Sequence, residues 1–226
     1  MSEPLPLKHP RLPGLGRSDF MVSPGNAVAL AMIDGWRDWP GGKLVLTGPS
    51  GSGKTHLANI WASDTGARIV AAQGLTDTIV PDLANGPLVV EDADECSIDG
   101  SQEALFHLHN LMRANGHPLL ITGAVAVASW PITLPDLKSR LQGAQSAVLE
   151  LPDDTLFTLL LAKQFGERQL NVPPQVISYL LRHMDRSFEA ARSVVDALDQ
   201  ASLVQRRAIT VPLTREVLDK ITPKAS

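Results

Sequence analysis

Little in this 226-residue sequence can be cross-linked, stacked or driven into a membrane. It has one cysteine, Cys96, so no internal disulfide can form and a disulfide-stapled secreted scaffold is excluded. Cys96 lies among Glu91, Asp92, Asp94 and Glu95, the opposite of the electropositive setting that activates a thiolate. Aromatic residues make up 4% of the chain, a poor supply of platforms for stacking unpaired bases. Net charge is −4, the wrong sign for a protein whose main task is to grip a nucleic-acid backbone. No apolar run approaches the roughly 20 residues of a membrane span. Prolines and charges interrupt the N-terminus where a signal peptide would need an apolar stretch. The expectation is a cytoplasmic protein with no membrane contact.

What is present is concentrated in one stretch. The apolar run Lys43–Thr47 leads into Gly48, Pro49, Ser50, Gly51, Ser52, Gly53, Lys54 and Thr55, and then into His56–Ala62 with helical spacing. This is the phosphate-binding pattern G-x-x-x-x-G-K-[ST] between a strand and a helix. Glycines let the backbone turn tightly and direct its N–H groups at an anion, and the following helix adds the positive end of its dipole. Lys54 can reach the outer phosphates, and the Thr55 hydroxyl can hold Mg²⁺. The chemistry is that of a nucleoside triphosphate or diphosphate site.

The rest of the chain alternates. Residues 1–17 are rich in Pro, Leu and Gly and read as an extended arm. A helix is expected over Ala27–Trp36 with Asn26 as its N-cap. Buried strands are expected at Lys43–Thr47, Arg68–Ala72, Leu88–Asp92, Pro118–Gly123 and Gln145–Leu151. Between them lie a short helix from Leu75 that stops near Pro81, and a longer one over Ser101–Ala114 with Ser101 as N-cap. His107 and His109 are two apart and face different ways on that helix, so a metal pair is not expected. After Pro152 strand signals vanish and helical spacing takes over, as Asp153–Gln169, Pro173–Met184, Ser187–Gln205 and Thr214–Ile221. The expected domains are an α/β unit over 18–151, with a parallel sheet of five strands, and a helical lid over 152–226.

The run Leu88–Asp92, a strand ending in carboxylates downstream of the phosphate loop, is similar to a Walker B strand, where an Asp holds Mg²⁺ and the next acid positions water. In that register Asp92 takes the metal slot and Ala93 the catalytic-acid slot, so weak hydrolysis is expected. The alternatives for the acid at the metal are Glu91 and Asp94.

The order of these motifs resembles the AAA+ P-loop ATPases of the DnaA family, and within it the short Hda-type regulators that inactivate the replication initiator. The residues that carry the resemblance are Phe20–Asn26, Gly48–His56, Leu88–Asp92, the box Leu134–Leu141 and Asp185-Arg186. It implies an arginine finger at Arg140 that acts on a neighbour's nucleotide, and a lid arginine at Arg186 that reaches the chain's own phosphates. It also implies that Asn26 and His56 lie near the nucleotide, that ADP or ATP with Mg²⁺ is the ligand, and that the initiator DnaA is the partner. The sensor position after Gly123 is Ala124 where the family carries an acid, with Thr122 as the nearest polar group. Leu5-Pro6-Leu7 is similar to the end of a sliding-clamp peptide, whereas Ser2 and Glu3 depart from it. The sequence reaches Ser226 directly after the lid, so sequence-specific DNA binding through a further domain is not expected. Homo-oligomers remain open. Two other readings are a helicase-loader or transposition-helper ATPase on single strands, and a P-loop kinase with a small-molecule acceptor.

Overall fold

The computed structural model describes residues 15–96 and 100–221, which divide into two compact units between Glu150 and Leu151. The first unit is built on five parallel strands: β1 (Lys43–Thr47), β2 (Arg68–Ala71), β3 (Leu88–Glu91), β4 (Leu119–Gly123) and β5 (Gln145–Val148). Their order across the sheet is β2-β3-β4-β1-β5. Lys43 is in register with Leu119 and Leu44 with Gln145, which puts β1 in the interior of the sheet and its C-terminal end beside that of β4.

An all-parallel sheet must be covered on both faces, and the strand sequences show why this one is. Side chains alternate, so Val45, Leu88, Val90, Leu119 and Ile121 fill one core while Leu44, Leu46, Val89 and Leu120 fill the other. The first core takes its cover from α3 (Val80–Leu83), α4 (Ser101–Asn115) and α5 (Pro135–Gln142), through Leu83, Leu105, Leu108, Met112, Leu137 and Leu141. The second is covered by α1 (Pro24–Asp34) and α2 (Lys54–Thr65), through Ala29, Ile33, Leu57, Ile60 and Trp61. Trp39 stacks on Trp61 at 5.2 Å between ring centroids, closing the end of that layer.

Several boundaries differ from the sequence expectation. Pro81 sits in the first turn of α3 and so helps start the helix it was expected to end, because a first-turn residue has no intrahelical use for its missing N–H. The N-cap of α1 is Ser23, and Asn26 is its third residue, completing a capping box. The N-cap of α4 is Gly100, in a left-handed conformation, with Ser101 inside the helix. Residues Val127–Ser129 form a single 3-10 turn between β4 and α5. Strand β5 ends at Val148, three residues earlier than expected.

The second unit is all helical: α6 (Asp154–Glu167), α7 (Pro174–His183), α8 (Phe188–Gln205) and α9 (Val211–Ile221). Helices α6 and α9 each pack on both α7 and α8. Asp153 caps α6 by accepting from the Leu156 N–H at 2.7 Å, and Ser187 caps α8 by accepting from the Ala190 N–H at 3.0 Å. No described helix is long and apolar enough to cross a membrane.

Candidate nucleotide-binding site

The loop Gly48–Gly53 leaves the C-terminal end of β1 and delivers Lys54 as the first residue of α2. Its path requires glycine. A Cβ on Gly48 would meet the backbone oxygen of Leu149 and, at 2.8 Å, the Ser52 hydroxyl. Gly51 and Gly53 have φ of 76° and 101°, in the left-handed region. The Gly48 N–H donates to the Gly123 carbonyl at 3.2 Å, tying the start of the loop to the end of β4.

The loop encloses groups suited to an anion. Lys54 Nζ donates to the carbonyls of Gly48 at 2.6 Å and Pro49 at 3.2 Å, so the ammonium is held within the curve of the loop. Burial lowers the Lys54 pKa, and the carboxylates of Asp92, Asp94 and Glu91 oppose that shift. The Ser52 hydroxyl is buried and has no hydrogen-bond partner, a vacancy that a phosphate oxygen would satisfy. No side chain caps the N-terminus of α2, which leaves its first-turn N–H groups to the loop.

The acidic side of the site is built at the ends of β3 and β4. Asp92 follows β3 with φ of 53°, and its N–H donates to the Thr122 hydroxyl at 3.1 Å. This turn points the next residue, Ala93, into the core and brings Asp94 back over β4. Asp94 Oδ2 accepts from the Ala124 N–H at 2.8 Å, while Oδ1 is buried with no partner. Two alanines, at 93 and 124, were expected to leave this side bare; the structure fills it with Asp94. The sequence signal was an acid two residues beyond Asp92, and a left-handed turn was needed to make it count.

Among the described residues no group of three or more His, Cys, Asp or Glu side chains could by itself hold a metal ion. Thr55 and Asp92 are both exposed hard-oxygen donors, which fits an Mg²⁺ that takes most of its ligands from phosphates and water.

Two other predicted site residues are occupied within the protein. Asn26 Oδ1 accepts from the Ser23 N–H at 2.8 Å, and its Nδ2 donates to the Met21 carbonyl at 2.9 Å. The His56 ring lies edge-on to Phe20 and 2.8 Å from the Gly16 carbonyl oxygen. Both organise the Gly16–Asn26 segment against α2. Arg17 adds to this by bridging Asp34 of α1 at 2.6 Å and Asp64 of α2 at 2.7 Å. Thus the last part of the expected arm is pinned; its residues 1–14, with Leu5-Pro6-Leu7, lie outside the described residues.

Arg140 belongs to the opposite end of the sheet. It lies in the last turn of α5 with its guanidinium 5.5 Å from the Phe106 ring centroid, and among the described residues it makes no ion pair. It lowers the pKa of both Lys43 and His109, as Arg113 does, so three cations, Lys43, Arg113 and Arg140, lie near the neutral His109 ring at the start of β1. Lys43 opens β1 and Gly48 follows it, so five steps of about 3.3 Å put roughly 16 Å of strand between this cluster and the phosphate loop. Sequence reasoning missed Lys43, His109 and Arg113, since nothing in their spacing links them. Arg186, in the second unit, pairs with Asp154 at 2.6 Å.

Residues 153–218 match the family described as the Hda lid domain. The whole chain is similar to domain III of the replication initiation protein DnaA from Thermotoga maritima. That match has 20% identity and a TM-score of 0.81, and covers 93% of this chain and 98% of that one. AMPPCP-bound DnaA from Aquifex aeolicus aligns at 18% identity and a TM-score of 0.70, over 83% of this chain and 66% of that one. The RuvB Holliday junction branch migration motor of Thermotoga maritima aligns at 14% identity and a TM-score of 0.70, over 91% of this chain and 71% of that one. The chain therefore has the fold of these DnaA and RuvB structures, and its residues 153–218 carry the match to the Hda lid domain.

Proposed function

We propose that this chain is a regulator of replication initiation: it binds ADP or ATP with Mg²⁺ in the Gly48–Thr55 loop, docks on the ATPase domain of the initiator DnaA, and presents Arg140 to the initiator's bound ATP. The observation that carries this reading is the placement of Arg140. It stands at the far end of β1 from the chain's own phosphate loop, and carries a guanidinium free of carboxylates. A group so placed is remote from the chain's own phosphates, which supports a role on a nucleotide held by another subunit.

A guanidinium set against the third phosphate stabilises the charge that develops as the phosphoryl group is transferred to water. Phe106 supports the guanidinium plane, and the neighbouring cations Lys43 and Arg113 make this end of the sheet attractive to a polyphosphate edge. The adenine nucleotide of this chain is supported by its loop geometry and by the AMPPCP held in the similar Aquifex aeolicus DnaA structure. When bound, Mg²⁺ would be held by Thr55 and Asp92 and would offset phosphate charge. Arg186 would reach the phosphates from the lid, and the N-terminal arm would dock on the sliding clamp.

The test is single-turnover hydrolysis of labelled ATP preloaded on purified DnaA, with and without this chain, and with clamp loaded on DNA. Acceleration that depends on Arg140 is expected. Equal rates with and without the chain, clamp present, would overturn the reading.

A further inference from the structure

We propose that Asp94 orients water at this chain's own nucleotide site, taking the place of the side chains absent at positions 93 and 124. The inference rests on the reading of Gly48–Thr55 as the nucleotide site. Three observations carry it. First, Asp94 is fixed: Oδ2 accepts from the Ala124 N–H at 2.8 Å, so the carboxylate cannot swing away. Second, Oδ1 is buried with no donor, and a buried carboxylate oxygen without a donor is costly unless one arrives with the ligand. Third, the carboxylate belongs to the phosphate side of the sheet. Ala124 follows Gly123, whose carbonyl accepts from the Gly48 N–H at 3.2 Å, and the Asp94 carboxylate is among those that act on the Lys54 ammonium.

The geometry excludes the neighbours from the role. The Asp92 backbone is anchored to Thr122 and its carboxylate is exposed, which suits the cation. Ala93 is fully buried and has no polar group. The Thr122 hydroxyl accepts from the Asp92 N–H and is neutral, so it is a far weaker acceptor for a water proton than a carboxylate. Asp94 carries a fixed oxygen and a free oxygen on the same group, and a main-chain N–H at the end of β4 holds the fixed one. The donor that suits Oδ1 is a water molecule lying against the third phosphate of ATP. In the step it serves, the water oxygen bonds to the terminal phosphorus while the bond from phosphorus to the bridging oxygen breaks. The bonding pair leaves with ADP, and the water protons end on inorganic phosphate and solvent.

The experiment uses the full chain, with Asp94→Asn and the double variant Asp94→Ala/Ala124→Asp. Asparagine keeps an acceptor for the Ala124 N–H and removes the carboxylate. ATP turnover is measured under single-turnover conditions, and binding of ADP and of ADP–aluminium fluoride by calorimetry. Asp94→Asn is expected to lower turnover about tenfold or more, and to weaken ADP–aluminium fluoride to a similar degree, with ADP affinity unchanged. The double variant returns a carboxylate to the same place from position 124 and is expected to recover part of the loss. Turnover and transition-state-analogue affinity equal to the parent's in Asp94→Asn would overturn the proposal, as would a parent chain with no measurable hydrolysis. Loss of ADP binding by the parent would instead overturn the nucleotide-site reading on which it rests.

Discussion

Lys43 Nζ lies 2.5 Å from His109 Nε2, and both side chains are buried at the end of β1 remote from the phosphate loop. An ammonium has only donors, so Nε2 accepts and the imidazole proton sits on Nδ1. Burial, with Lys43, Arg140 and Arg113 nearby, pushes the His109 pKa down from 6.5 to about 4. The sign of the pH effect follows. Between those values the unfolded chain binds a proton that the folded chain refuses, so stability is full above pH 6.5 and falls as pH drops towards 4. The Lys43 pKa is lowered too, which acts in the same direction at higher pH. Urea unfolding at pH 7 and pH 4.5 should show a loss on the order of 2 kcal/mol from His109. His109→Gln, which does not titrate, should lose that much less over the same interval. An identical pH dependence in the two proteins would show that His109 is not held neutral.

That pair was invisible in the sequence, since its members are 66 residues apart and only the β1–α4 packing joins them. The fold was far more legible. Strands covered on both faces read as unbroken apolar runs, and Leu88–Val90 and Leu119–Ile121 are such runs. The phosphate loop was legible for a different reason: its glycines are demanded by backbone geometry that no other residue meets, as at Gly48. Side chains committed by local turns were harder. Asn26 looks the same as an N-cap or as the third residue of a capping box, and Ser23 decides between them. Asp94 reaches Ala124 only because Asp92 turns left-handed, a conformation that its sequence permits without announcing it.

Asn26 therefore has a testable structural role. Its amide joins Ser23 and Met21, and the residue is 4% exposed. Asn26→Ala should cost about 1 kcal/mol through loss of the capping box, seen as a lower Tm without any nucleotide present. A side chain that served only the ligand would leave the ligand-free Tm unchanged.

Lys54→Ala separates the ammonium from the loop backbone. The Gly48 and Pro49 carbonyls lose a shared donor, while the loop glycines that set its path are unchanged. Affinity for ADP and ATP by calorimetry should fall at least tenfold, roughly 1.4 kcal/mol or more. Equal affinities would remove Lys54 from the binding site.

Gly48→Ala attacks the same loop from the backbone. Its Cβ would meet the Leu149 carbonyl oxygen, which is main chain and cannot rotate away, and the Ser52 hydroxyl. A cost of about 1–3 kcal/mol is expected, together with loss of nucleotide binding, since the loop must move off β5 to make room. Thermal unfolding and calorimetry would both report it. Parent-like values in both would mean that the contact between Gly48 and Leu149 is not tight.

Arg140→Ala makes opposite demands on stability and function, which is what makes it informative. Among the described residues Arg140 has no carboxylate partner, and Lys43 and Arg113 are near it, so in the folded chain its charge is repelled by those two cations. Against this, its removal loses the contact with the Phe106 ring, worth about 0.5–1 kcal/mol at a half-exposed site. The two effects offset, and the Tm of Arg140→Ala should stay within a few degrees of the parent's. Its affinity for ADP should be unchanged, because the phosphate loop is at the other end of β1. Stimulation of ATP hydrolysis on DnaA should nevertheless collapse; an arginine finger supplied in trans is worth about 10³–10⁵ in rate in GTPases. Arg140→Lys keeps the charge but not the planar fork, and should recover little. A variant that folds, binds ADP and still stimulates as the parent does would show that Arg140 is not the group that reaches the initiator's ATP. A variant that loses stability by several kcal/mol would show instead that Phe106 and Arg140 form a structural pair, and that the finger must be sought elsewhere on this face.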